Sequence, residues 1–294
     1  MMAVVTTAPA DDTVPIADPV AARAFLDRLD HAAQRHATPC GDGVMVWRRW
    51  GSGPAVLLLH GGAGSWRHWA RNLAALTAEH TVIAPDLPGL GESARVPEPV
   101  AAATIAAIVG DGLNTVLGAD LPLHIVGFSF GGVIAGVVAA DAGDRVRSLT
   151  LIGSGGLGPP NRSVELVKVR DRSGEDRIAA HRTNLARMML ADPAAIDALA
   201  LEIQEWNSRH ARLNSGAMWM SPVLHQALPR VRAPVHALWG EREMADRALL
   251  EARVALMRQA RPDVATEIVP NAGHWVAYEA AGQFNTFLRR ILAG

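Results

Sequence analysis

Ser129 stands in Gly127-Phe128-Ser129-Phe130-Gly131, directly after the apolar run 121–126 and before a small-residue helical stretch, 132–142. A sharp strand-to-helix turn holds the serine backbone in a strained conformation and leaves no room for bulk two residues to either side. It exposes the hydroxyl at the carboxyl end of a strand. The N–H of Phe130 then lies at a helix start, where negative charge is stabilised. A serine hydroxyl is a poor nucleophile at neutral pH and needs a base. His274 is the candidate: it sits in Pro270-Asn271-Ala272-Gly273-His274-Trp275, after the last strand and before the last helix. His31, His36, His80, His181, His210 and His225 read as solvated imidazoles on helices or loops, and His124 and His236 as buried strand residues.

The base requires a carboxylate to fix its tautomer and stabilise the imidazolium. The loop after the strand before last, Leu238-Trp239-Gly240-Glu241-Arg242-Glu243-Met244-Ala245-Asp246, offers Glu243 first, Asp246 as the alternative and Glu241 third. A second oxyanion donor is expected from His60-Gly61-Gly62-Ala63-Gly64-Ser65, where glycine lets the backbone approach substrate. Gly62 N–H is therefore paired with that of Phe130. The same loop carries neither glycine-rich nucleotide pattern, which disfavours phosphate binding. Asp86 and Ser93, in the turn 85–93, read as turn-forming side chains.

The elements that must position these groups follow from periodicity. Continuous apolar runs or strand-forming stretches lie at 44–50, 55–59, 81–84, 123–126, 148–152, 235–239 and 265–269. Helical stretches at 69–77, 101–117, 132–142, 247–259 and 278–292 separate most of them. An α/β architecture follows: a mostly parallel sheet with helices on both faces. Residues 152–234 break the alternation with helical segments at 164–169, 178–190 and 194–206, which read as a cap over the carboxyl ends of the strands, where ligands bind. The expected organisation is a flexible tail at 1–19, a core at 20–153 and 231–294 that opens with a helix at 21–36, and a cap at 154–230.

Composition narrows the function. With 28 basic and 29 acidic side chains, net charge −1, neither nucleic acid nor an anionic membrane is an expected partner. A single cysteine, Cys40, cannot form an internal disulfide, no apolar run reaches the ~20 residues that span a bilayer, and the N-terminus does not read as a signal peptide. A cytoplasmic enzyme on a small-molecule substrate, with no cofactor or metal and with homo-oligomerisation open, is the expectation.

Together, Leu59-His60-Gly61-Gly62, the turn 86–93, Gly127-Phe128-Ser129-Phe130-Gly131-Gly132, Leu238-Trp239-Gly240-Glu241-Arg242-Glu243 and Gly273-His274 resemble the α/β-hydrolase superfamily over residues 42–293. Most relatives carry aspartate where Glu243 stands. Two stretches, 153–159 and 273–279, are also similar to the meta-cleavage-product hydrolases, which cleave C–C bonds in vinylogous diketones. That group usually has Asn where Phe128 stands. It also has a cap arginine just before an aromatic, whereas Gln204-Glu205 precede Trp206 here, so Arg182, Arg209 or Arg212 would have to substitute. The resemblance therefore implies a serine hydrolase of carboxylic esters, with C–C hydrolysis second and a catalytically silent ligand-binding homologue as the alternative of another class. Trp206, Trp219, Met188, Met189 and Trp275 are the expected pocket walls, with Met218 beside them, although ordinary core positions explain them equally well.

Overall fold

Residues 14–159, 164–243 and 247–294 are described by a computed structural model. Eight strands form one sheet among them: β1 (Gln34–Cys40), β2 (Gly43–Trp50), β3 (Ala55–Leu59), β4 (Thr81–Pro85), β5 (Leu123–Phe128), β6 (Val146–Ile152), β7 (Val235–Gly240) and β8 (Ala265–Val269). Their order is β1-β2-β4-β3-β5-β6-β7-β8. The first two pairings, β1 with β2 and β2 with β4, are antiparallel, and the rest are parallel. The helices that precede β6 are α1 (Pro19–His31), α2 (Leu73–Thr77), α3 (Ala102–Leu117) and α4 (Phe130–Ala142). Between β6 and β7 come α5 (Gly174–Met188), α6 (Ala198–Arg209), α7 (Gly216–Met220) and α8 (Val223–Ala227). Then follow α9 (Arg247–Ala260), α10 (Val276–Glu279) and α11 (Ala281–Leu292).

Side chains alternate across a strand, so a strand buried on both faces must be apolar throughout. In β3, Leu57 and Leu59 enter one apolar layer with Ile105 and Val109 of α3 and Val133 and Ile134 of α4. Val56 and Leu58 enter the other, with Phe25 of α1, Leu199 of α6 and Phe284 of α11. The central strands therefore end, all at one edge, in loops whose positions are fixed from both sides.

Helices α5 to α8 fill the expected insertion, but residues 164–169 are not helical. Helix α6 is fastened to the core through Asp197, its N-cap. The carboxylate accepts from Ala200 N–H at 2.9 Å, Ile16 N–H at 2.8 Å, Arg71 Nη2 at 2.5 Å and Tyr278 OH at 2.5 Å.

Four further expectations change. Helix α1 ends at His31, and the next residues form β1, an edge strand read in the sequence as helix and loop because Gln34–Cys40 lacks apolar alternation. Of the tail at 1–19, residues 1–13 lie outside the described residues, while Ile16 is tied to Asp197 and Asp18 caps α1. The helix expected at 69–77 is a short 3-10 turn at Trp66–Trp69 followed by α2, and the final helix is split in two at Ala280.

Candidate active site

Ser129 separates β5 from α4 with φ 53° and ψ −116°, a conformation that costs about 1–3 kcal/mol in a residue bearing a side chain. The two glycines of the motif serve contact rather than torsion. A Cβ on Gly131 would lie 2.2 Å from Leu59 O, and one on Gly127 would lie 2.6 Å from Gly131 O. The end of β3, the turn and the first turn of α4 are thus in backbone contact. Phe130 opens α4, so its N–H has no partner within the helix and is available to an oxyanion.

The loop after β3 is held by two buried imidazoles. His60 Nε2 accepts from Leu87 N–H at 2.8 Å, which leaves the proton on Nδ1 to donate to Gly61 O at 2.8 Å. His68 Nδ1 accepts from Gly61 N–H at 3.3 Å. Burial lowers the proton affinity of both rings, His68 well below the ordinary histidine range, so both are neutral. In a trans peptide the C=O and N–H point opposite ways. Anchoring Gly61 O to His60 therefore turns Gly62 N–H away from His60, and Gly62 itself borders a cavity.

His274 follows β8 and Glu243 follows β7. His274 Nδ1 is 2.9 Å from Glu243 Oε1, and both side chains are buried. Glu243 Oε2 is buried with no hydrogen-bond partner among the described residues. Gly153, at the end of β6 with φ 52°, leaves the space this pair occupies. A Cβ there would lie 2.8 Å from His274 Nδ1 and 3.2 Å from Glu243 Oε1. Phe128 packs its ring 4.9 Å from that of His274. Glu241 is engaged elsewhere: its carboxylate accepts from Asn271 N–H at 2.9 Å and shapes the loop before His274. Asp246 lies outside the described residues. Asp86 braces the neighbouring turn, accepting from Trp66 N–H at 2.9 Å and pairing with buried Arg48 at 3.3 Å.

Ser129, Phe130, Gly61, Gly62 and His274 border one cavity of about 370 Å³. Of the expected walls, Trp219, Met188 and Met189 line it; Trp206 and Trp275 do not. Trp206 stacks on His210 at 3.9 Å and lies under the Arg67 guanidinium at 3.7 Å, against the turn at 66–69 rather than the cavity. Trp275 is buried against Tyr278 and donates to His68 O at 3.0 Å. Met218 packs into the core beneath α7. Val164, Leu166, Leu213, Asn214, Ser215 and Met220 complete the wall and were missed. Val164 and Leu166 fall in the stretch read as a helix, and the others lie at or next to the short helix α7, where too few residues are available to show a periodic burial pattern. Among the described residues, no group of three histidine, cysteine or carboxylate side chains is placed to hold a metal ion, and no helix is long and apolar enough to cross a membrane.

A sheet of this order, with a serine on a strained turn between a central strand and helix and a histidine after the last strand, defines a hydrolase class. Residues 56–286 match the family model described as "Alpha/beta hydrolase family". The chain belongs to that family, whose members here include hydrolases of esters and of C–C bonds. It is 31% identical, over 85% of its length and 68% of the relative's, to the dihydrolipoyllysine-residue acetyltransferase component of an acetoin cleaving system from Pseudomonas putida. It is 28% identical to a 2-hydroxy-6-oxo-6-phenylhexa-2,4-dienoate hydrolase of Burkholderia cepacia, over 83% of this chain and 89% of that one. Among solved structures, a bacterial membrane phospholipase A superposes with a TM-score of 0.72 at 24% identity, covering 94% of this chain and 92% of that one.

Proposed function

We propose that this chain is a serine hydrolase of uncharged carboxylic esters, with Ser129 as nucleophile, His274 as base and Glu243 as the acid behind it. Ser129 Oγ attacks the ester carbonyl carbon while His274 Nε2 takes the hydroxyl proton. The oxygen that becomes negative is met by the N–H groups of Phe130 and Gly62. The C–O bond to the alcohol then breaks as His274 returns the proton to the leaving oxygen. Water, deprotonated by the same imidazole, releases the acid and restores Ser129. Glu243 holds the Nδ1–H tautomer that leaves Nε2 facing the serine.

The observation that carries the choice of substrate is the composition of the cavity wall. Phe128, Phe130, Leu166, Met188, Trp219 and Met220 contribute apolar surface, and no arginine or lysine stands among the described lining residues. A dienoate carboxylate would need a charge-assisted partner. The arginines considered for that role are occupied elsewhere. Arg182 donates to Ile196 O, Arg209 pairs with Glu205, and Arg212 donates to Gly91 O and Ser93 O. C–C bond hydrolysis is the second reading, favoured by the relative named as a dienoate hydrolase.

Labelling with a fluorophosphonate tests the nucleophile: modification of Ser129 is expected, and a folded protein that does not react is a binding homologue. A panel of aryl esters beside a vinylogous 1,5-diketone acid tests the substrate. Turnover of the diketone orders of magnitude above every ester would make C–C hydrolysis the function.

A further inference from the structure

Ser215 precedes α7 at its N-cap position, yet its hydroxyl makes no capping hydrogen bond. Serine at that position ordinarily accepts from the backbone of the first helical turn. Here Asn214 Oδ1 takes the Gly216 N–H at 3.1 Å instead. The Ser215 hydroxyl stands over Gly62: a Cβ added to Gly62 would lie 2.5 Å from Ser215 Oγ and 3.7 Å from its Cβ. Both residues border the cavity that holds Ser129, Phe130 and His274.

The position of Ser215 is fixed from the core. Trp219, one turn later, donates its N–H to Ser215 O at 2.9 Å, and its own carbonyl accepts from Gly156 N–H at 2.7 Å. Its indole lies flush on Gly155, where a Cβ would meet the ring at 2.3 Å, and the buried Arg253 guanidinium sits 4.4 Å from the ring centre. A hydroxyl so placed, beside the glycine that faces the oxyanion and with a freely rotating proton, is suited to follow charge as it develops on an acyl oxygen.

Resting on the ester-hydrolase reading above, we propose that the Ser215 hydroxyl is a third donor to the substrate's acyl oxygen, beside the N–H groups of Gly62 and Phe130. The insertion thereby completes the oxyanion site as well as enclosing the substrate. No proton is transferred; the hydrogen bond strengthens as the carbonyl oxygen becomes an alkoxide.

The test compares the full chain with Ser215→Ala and Ser215→Thr on an aryl ester. The matching aryl trifluoromethyl ketone, which forms a charged adduct on Ser129, and an aryl ether that lacks the carbonyl serve as inhibitors. Ser215→Ala is expected to lower kcat roughly tenfold with KM within twofold, and to weaken the ketone by the same factor, about 1.4 kcal/mol. Ether binding should be unchanged, and Ser215→Thr should recover most of the loss. The proposal is overturned if Ser215→Ala keeps kcat and ketone affinity within twofold, or if ketone and ether weaken equally, which is a packing effect. Fluorophosphonate labelling of the unsubstituted chain separates the two readings. A chain that labels and turns over esters, with Ser215→Ala equal to it, loses only the third donor. A chain that neither labels nor turns over esters loses both.

Discussion

Glutamate at 243 makes the His274 pair a length-sensitive device. Shortening it to aspartate withdraws the carboxylate by roughly 1.5 Å, one C–C bond. The His274 Nδ1–Glu243 Oε1 contact of 2.9 Å then opens to about 4 Å unless the backbone follows. The loop resists following. Arg242 N–H is held by Ala272 O at 2.9 Å, Glu241 N–H by Val269 O at 2.9 Å, and Gly240 lies against Gly273 O, where a Cβ would come within 2.0 Å. A hydrogen bond to a charged group contributes about 1.5–3 kcal/mol, so Glu243→Asp should lose on the order of 10- to 100-fold in kcat/KM. Glu243→Gln keeps the length and removes the charge that stabilises the imidazolium, and should lose on the order of 10³- to 10⁴-fold. Asp246→Asn should stay within threefold. The assay is kcat/KM on a short aryl ester, with circular dichroism to verify folding. A Glu243→Gln variant within twofold of the parent, or a collapse in Asp246→Asn alone, would refute the reasoning.

Gly153→Ala forces a Cβ to within 2.8 Å of His274 Nδ1 at φ 52°; kcat/KM should fall on the order of 100-fold and stability by about 1–2 kcal/mol, and a fully active variant in steady-state kinetics would remove Gly153 from the positioning of His274. Asp197→Ala takes the carboxylate from buried Arg71, Tyr278 and Ile16, so urea unfolding should show a loss of about 3 kcal/mol; less than 1 kcal/mol would mean that the carboxylate is not a fastening point. Burial lowers the His124 pKa to about 4. The unfolded chain takes up a proton near pH 6.5 and the folded chain does not until about 4, so its contribution is complete above 6.5 and is lost as pH falls between those values. The urea midpoint should drop from pH 7.5 to pH 5, and His124→Gln should flatten that drop; an unchanged slope in the variant would assign it to other groups.

The sheet and the positions of Ser129, His274 and the His60 loop were legible because they depend on local signals: apolar runs, turn glycines and chain order. What depends on contact between distant segments was not. The Gln34–Cys40 strand is polar and half-exposed, and it is a strand only because Gly43–Trp50 turns back on it. Trp206 and Trp275 are large and apolar, which predicts burial but not which side of a helix buries them. Ser215 is invisible in the sequence because nothing local distinguishes an uncapping serine from a capping one. His68 carries no local signal either: its partner, Gly61 N–H, lies across a turn rather than a helical period away.

Fastening α6 through Asp197 also divides the insertion into two mechanical halves. Lifting α6 as a rigid flap would break contacts to the N-terminal segment, the Arg71 turn and α10 at once, whereas the opposite rim carries Leu166 and Met220, 43% and 53% exposed, on the cavity wall. A ligand that passed this rim would meet two apolar side chains and no charged one.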